Sequence, residues 1–205
     1  MALTAFALNC SLKGIGDGEK SSTDVLLRQL IDALAGHDVA SGGVMRAVDH
    51  DIKPGVKDDE GKGDAWPDLL KRVLAADIFV LGTPIWLGQP SSVCKRVLER
   101  LDAVIHDMDD RKRMKTYNRV ALVAVVGNED GAHHVSAELY QALSDCGFTI
   151  PANGMTYWVG EAMQSENYDE FSSAPDKVAV ATAMAAANAA HLARLLSEKN
   201  YPGVS

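Results

Sequence analysis

The sequence predicts a doubly wound α/β fold, a mainly parallel sheet of five strands with helices on both faces. Three observations carry the prediction. Five short apolar runs recur along the 205 residues, they alternate with longer stretches of helical spacing, and several runs are apolar at every position, as strands covered on both faces must be.

The runs are Ala5 to Leu8, Val44 to Val48, Ile78 to Leu81, Val120 to Val126 and a weaker one from Thr156 to Val159. AFAL, IFVL and VALVAVV show no alternation, which makes them the buried, parallel strands. A first helix follows from the spacing of Leu26, Leu27, Leu30, Ile31 and Leu34, and a second is expected at Asp64 to Ala76, after the turn at Gly61 to Gly63. The third reads from Val93, Val97, Leu98, Leu101, Val104 and Ile105, and the fourth spans Ala132 to Cys146, ending on Gly147 as a C-cap. The last begins near Pro175, whose missing N–H costs nothing in a first turn, and runs to Lys199. Its alanines suit close packing on the sheet. Two connections, His50 to Asp64 and Gly160 to Ala174, are too long for plain turns and read as lids, interface elements or disordered segments.

With 47% hydrophobic and 23% charged residues, the chain can bury one core without disulfides or metals, and a single domain over 1–205 is expected. The net charge of -8, with Lys and Arg interspersed among acids, argues against a nucleic-acid surface. Cys10, Cys94 and Cys146 are odd in number and form no C-x-x-C pair, so neither a disulfide framework nor a zinc site is signalled and a reducing cytoplasm fits. The opening MALTAFALNC lacks a basic leader and carries Asn9 before the cysteine, so it reads as a strand rather than a lipoprotein signal. The apolar tract from Val178 to Ala193, interrupted by Thr182, Asn188 and His191, is read as falling short of a membrane span.

Directly after the first strand, Asn9 to Thr23 (NCSLKGIGDGEKSST) forms a polar loop that runs into a helix N-terminus. Free backbone N–H groups and the helix dipole favour a phosphate there, with Ser11, Ser21, Ser22 and Thr23 as hydroxyl donors and Lys13 as a point charge. The plainer alternative is that Ser22 or Thr23 caps the helix and the glycines make a flexible turn. Gly14, Gly16 and Gly18 do not form a dinucleotide fingerprint, because Glu19 stands where the last glycine belongs. Glu19 also separates Gly18 from Lys20, which excludes a Walker loop.

After the third strand come Pro84, Ile85, Trp86, Leu87 and Gly88, an extended bend and an apolar wall at the strand's carboxyl end that suit a planar ring. In isolation Trp86 is equally a core or subunit-contact residue. The fourth strand ends in Gly127, Asn128, Glu129, Asp130 and Gly131, a glycine-flanked turn whose amides can donate to ring carbonyls and nitrogens. In a sheet of order 2-1-3-4-5 these loops meet at the switch point between strands one and three, where ligands bind.

With these motifs, nearly the whole chain resembles the flavodoxin-like NAD(P)H-dependent FMN reductase and quinone reductase family. The resemblance implies a three-layer flavodoxin-like sandwich and assigns Ser11, Lys13, Ser21 and Thr23 to the FMN phosphate, with Ser22 at the variable position. It assigns Pro84 to Gly88 to the isoalloxazine and ribityl chain, and Gly127 to Gly131 to the flavin edge, where Asn128, Glu129 and Asp130 replace the glycines of many relatives. It implies hydride transfer from NADPH or NADH to flavin N5 and on to a quinone, free flavin or other small acceptor, in a homodimer or homotetramer whose long loops complete neighbouring sites.

In that chemistry the cofactor reacts and the protein positions it, so no catalytic side chain or metal is assigned. His133 and His134 read as solvent-facing turn residues, Glu129 and Asp130 as acids suited to a helix N-terminus, and Tyr157 and Trp158 as core packing. A non-enzymatic flavodoxin-type electron carrier is the rival reading, opposed by the extra length, Lys13 and the long loops. A phosphoacceptor receiver is disfavoured because Asn9, Cys10 and Thr83 stand where its acids belong.

Overall fold

The computed structural model describes every residue except Met1, Asp17, Ala162, Met163 and Ser205, so small parts of the first loop and of the 160–174 loop lie outside the described residues. The sheet has the order β2 (Val39–Arg46), β1 (Leu3–Asn9), β3 (Ile78–Trp86), β5 (Val120–Gly127) and β6 (Met155–Val159), all parallel, with the two-residue β4 (Gln89–Pro90) pairing antiparallel to β3. This is the expected 2-1-3-4-5 arrangement of a flavodoxin-like fold, with β4 as an added hairpin arm.

Side chains alternate between two cores. Phe6, Leu8, Phe79, Leu81, Val123 and Val125 face α2 (Trp66–Ala75), α3 (Ser92–Leu101) and α4 (Ala132–Asp145). Ala5, Ala7, Ile78, Val80, Leu122 and Ala124 face α1 (Ser22–Ala35) and α5 (Asp176–Glu198). The small alanines of β1 meet the alanine face of α5, where Ala185, Ala186, Ala189 and Ala190 are fully buried. Small side chains on both partners permit this close approach.

Several boundaries differ from the sequence expectation. β2 begins at Val39 and ends at Arg46, and Val48 lies in a 3₁₀ turn over Ala47–Asp49. As an edge strand, β2 carries the mostly exposed ASGG stretch that hydropathy does not mark. α2 starts at Trp66, because Asp64 is committed to the preceding loop, and α3 gives way to a 3₁₀ turn at Asp102–His106. α5 is also more apolar than expected: its 23 residues have a window of mean hydropathy 1.2, long and apolar enough to cross a membrane by length and composition, with 39% of that window buried.

The loop from His50 to Asp64 is organised by one buried ion pair. Arg100 of α3 and Asp64 both have fully buried side chains, joined at 2.7 Å. The guanidinium also donates to the carbonyls of Lys53 and Lys57, and the Asp64 carboxylate accepts the N–H groups of Lys53, Glu60 and Trp66. Burial pushes the Asp64 carboxyl up, but Arg100 and these N–H donors outweigh it and hold it well below the usual carboxylate range.

Candidate functional site

The carboxyl ends of β1, β3 and β5 converge on one edge of the sheet. Asn9, fully buried at the end of β1, ties both ends of the first loop. Its Oδ1 accepts the Ser11 N–H at 2.8 Å and its Nδ2 donates to Ser21 Oγ at 3.3 Å. Ser21, rather than Ser22 or Thr23, caps α1 by accepting the Asp24 N–H. Ser11 Oγ accepts the Lys13 N–H at 3.0 Å. A hydroxyl has one proton to give, and both serines already serve as acceptors, so their protons are left to donate to a ligand.

Outside the loop, Arg46 donates to the carbonyls of Lys13 (3.3 Å) and Glu19 (3.5 Å), and Asp49 accepts the Ile15 N–H at 3.0 Å. The end of β2 therefore braces the loop from behind, a contribution with no local sequence signal. Lys13 is half-exposed, with its Nζ 3.7 Å from Glu19 Oε2. Thr23 is buried, and the Ser22 hydroxyl donates to Asp169 of the 160–174 loop.

At the other end, β3 turns at Leu87 and Gly88, both left-handed with φ of 53° and 73°, and returns as β4. Both oxygens of Glu129 are engaged here, accepting the N–H groups of Leu87 and Gly88 at 3.1 Å each. Gly131 has φ 125°, and a Cβ there would lie 3.0 Å from the Gly88 Cα. The two turns thus brace each other through backbone contact and one carboxylate, while Asp130 accepts the Gly131 N–H at 2.7 Å.

These loops enclose a cavity of about 270 Å³. Ten of the fifteen residues singled out from the sequence line it: Ser11, Lys13, Ser21, Ser22, Thr23, Pro84, Ile85, Trp86, Gly127 and Asn128. Leu87, Gly88, Glu129, Asp130 and Gly131 do not; they form the brace beside it. Leu12, Val126, Asn167 and Tyr168 complete the lining and were missed, and Trp158, read from the sequence as core packing, joins them. Trp158, next to last in β6, lies at the same edge and packs on Tyr168 and Phe171 at 5.5 and 5.6 Å, so it serves core and cavity together. Burial pushes the Tyr168 phenol up, opposed by its hydrogen bond to Gln29.

His133 meets the Tyr157 hydroxyl at 3.1 Å, and His134 lies 2.9 Å from both Glu138 and Gln89, so neither lines the cavity. A wider, open groove of about 830 Å³ runs between α3 and α4, but Glu99, Asp102, Glu138 and Asp145 outnumber Lys95 in its lining and would repel a phosphate. The strand-edge cavity offers the reverse, hydroxyl donors at one end and flat apolar walls at the other. A phosphorylated planar ring fits that donor set.

Residues 3–164 match the family described as NADPH-dependent FMN reductase. The chain belongs to this family. Within this FMN reductase family setting, the chain is 33% identical over 213 residues to the 8-demethyl-8-aminoriboflavin-5'-phosphate synthase of Streptomyces davaonensis, covering 98% of this chain and 81% of that one. The crystal structure of RosB with the bound intermediate 8-demethyl-8-formylriboflavin-5'-phosphate superposes with a TM-score of 0.87 at 32% identity, over 98% of this chain and 82% of the other. The apo NADH:FMN oxidoreductase EMOB shares the fold, with a TM-score of 0.69 at 17% identity, over 96% and 91% of the two chains.

Proposed function

We propose that this member of the FMN reductase family binds FMN in the strand-edge cavity and works as an NAD(P)H-dependent oxidoreductase on a small acceptor such as a quinone or free flavin. The observation that carries the reading is the cavity's polarity: Ser11, Ser21 and Lys13 at the α1 N-terminus, and Pro84, Ile85, Trp86 and Trp158 opposite. FMN, when bound, supplies the redox chemistry, accepting hydride from the nicotinamide and passing electrons on. The chain's own part is positional. Ser11 and Ser21 hold the phosphoryl end, Trp86 and Ile85 present a flat wall, and the Glu129 brace fixes the hairpin that carries that wall. The exposed Leu12, Ile15, Trp86 and Leu87 give the surface around this edge an apolar character suited to a small planar acceptor or to a second copy of the chain, in a cytoplasmic homodimer or homotetramer.

A second reading is favoured by one observation, the 33% identity to the flavin-modifying synthase over 98% of the chain: the flavin phosphate is the substrate rather than a resident cofactor. One experiment separates the two. Protein with FMN is titrated anaerobically with NADPH and NADH; a parallel sample is incubated aerobically with FMN and an amino-group donor, and the flavin of both is recovered and its mass measured. Bleaching of the flavin band with unchanged flavin mass supports the reductase. A changed mass supports flavin modification, and absence of FMN binding refutes both.

A further inference from the structure

Among the hydroxyls that face the phosphate end of the cavity, Ser22 differs from its neighbours in where its proton goes. Ser11 and Ser21 accept from backbone and Asn9 donors and keep their protons for a ligand. Ser22 gives its proton to the Asp169 carboxylate, 147 positions along the chain. It therefore presents lone pairs, not a donor, toward an incoming phosphate.

Asp169 is held in place by more than this bond. It sits in the 3₁₀ turn Tyr168–Glu170, whose Tyr168 is buried, hydrogen-bonded to Gln29 of α1 at 2.6 Å and packed on Trp158 and Phe171. Asn167 and Tyr168 line the same cavity. A carboxylate thus reaches the cradle through Ser22, on a turn anchored by Tyr168. Among the described residues neither nearby cation pairs with Asp169: Lys13 stands beside Glu19, and Arg46 faces backbone carbonyls and Asp24.

We propose that Asp169 sets how strongly the cavity discriminates between phosphorylated and unphosphorylated flavin, by opposing the phosphate and withdrawing the Ser22 proton from it. The inference rests on the flavin reading above. A carboxylate hydrogen-bonded to a hydroxyl of the cradle repels a dianion seated there, an effect of about tenfold in affinity for a partly hydrated site, and a ligand without the phosphate does not feel it. The asymmetry makes phosphate binding weaker than the serines alone would give.

The test measures dissociation constants for FMN and for riboflavin, by flavin fluorescence, in the full chain and in Asp169→Asn, with Asp169→Ala as a second variant. Asp169→Asn keeps the shape and an acceptor for Ser22 but removes the charge. The expected result is FMN affinity raised by about tenfold with riboflavin affinity changed less than about twofold, and a smaller gain at high salt, where the repulsion is screened. An unchanged FMN-to-riboflavin ratio in both variants overturns the proposal, as does an equal loss for both ligands, which would make Asp169 only a strut for the turn. If neither ligand binds the wild type or either variant, the flavin reading itself fails, and that outcome is distinct from an unchanged ratio.

Discussion

Replacing Arg100 by Met should cost this protein a large share of its stability. The substitution keeps a long apolar stem in a fully buried position and removes the guanidinium that lies 2.7 Å from Asp64 Oδ2. Asp64 is left as a buried carboxylate without a cation, and the Lys53 and Lys57 carbonyls lose their side-chain donors. Removing one partner of a buried pair costs about 3–5 kcal/mol, against a total stability of about 5–15 kcal/mol. With a urea slope of about 2–3 kcal/mol per molar, the midpoint followed by far-UV circular dichroism should fall by about 1–2.5 M. The double variant Arg100→Met with Asp64→Asn should be more stable than Arg100→Met alone, because it also removes the stranded charge.

The pH dependence of this pair has a definite sign. The Asp64 carboxyl is depressed in the folded chain, so its contribution is complete above the unfolded value of about 3.9 and is lost as pH falls through the lower folded value. Wild-type stability should therefore decline in acid while the gap to Arg100→Met narrows. A single variant within about 1 kcal/mol of wild type at neutral pH, or a double variant weaker than the single, would falsify the account of the 50–64 loop as an ion-pair-organised element.

Other substitutions address the cavity. Ser21→Ala removes both the α1 cap and a ligand donor, so the melting transition should drop by the equivalent of about 1 kcal/mol and FMN affinity by about tenfold, with riboflavin affected less; equal effects on both flavins would refute the phosphate role. Trp86→Ala, at a side chain 53% exposed, should leave urea stability within about 1 kcal/mol yet weaken FMN by about tenfold. Glu129→Ala should speed hydrogen exchange at the Leu87 and Gly88 amides while Glu129→Gln preserves part of the protection; unchanged exchange in both would show that the brace is dispensable. Burial pushes the Cys10 thiol well up, with Cys94 adding to it, and the Cys146 thiol to about 12. Ellman's reagent should therefore fail to react with the native chain at neutral pH and titrate all three cysteines in urea.

The sequence by itself determined the alternation of layers and the buried strands, while the strand order followed from the family resemblance. Layers and strands depend on local signals, the both-faced apolar runs of β1, β3 and β5, as does the hydroxyl-rich loop that enters α1. Where two faces of a strand need partners, the sequence must be apolar throughout, and that is legible without a structure. The edge strand β2 was half hidden because an exposed strand needs no such pattern.

Only the tertiary structure decided which hydroxyls keep their protons, since Ser22 meets Asp169 across 147 positions and Ser21 meets Asn9 across 12. It also committed the Glu129 carboxylate to the hairpin brace, and brought Asn167, Tyr168 and Trp158 into the cavity wall. A side chain's hydrogen-bond partner depends on distances between segments far apart in the chain, and neither propensity nor periodicity encodes those distances.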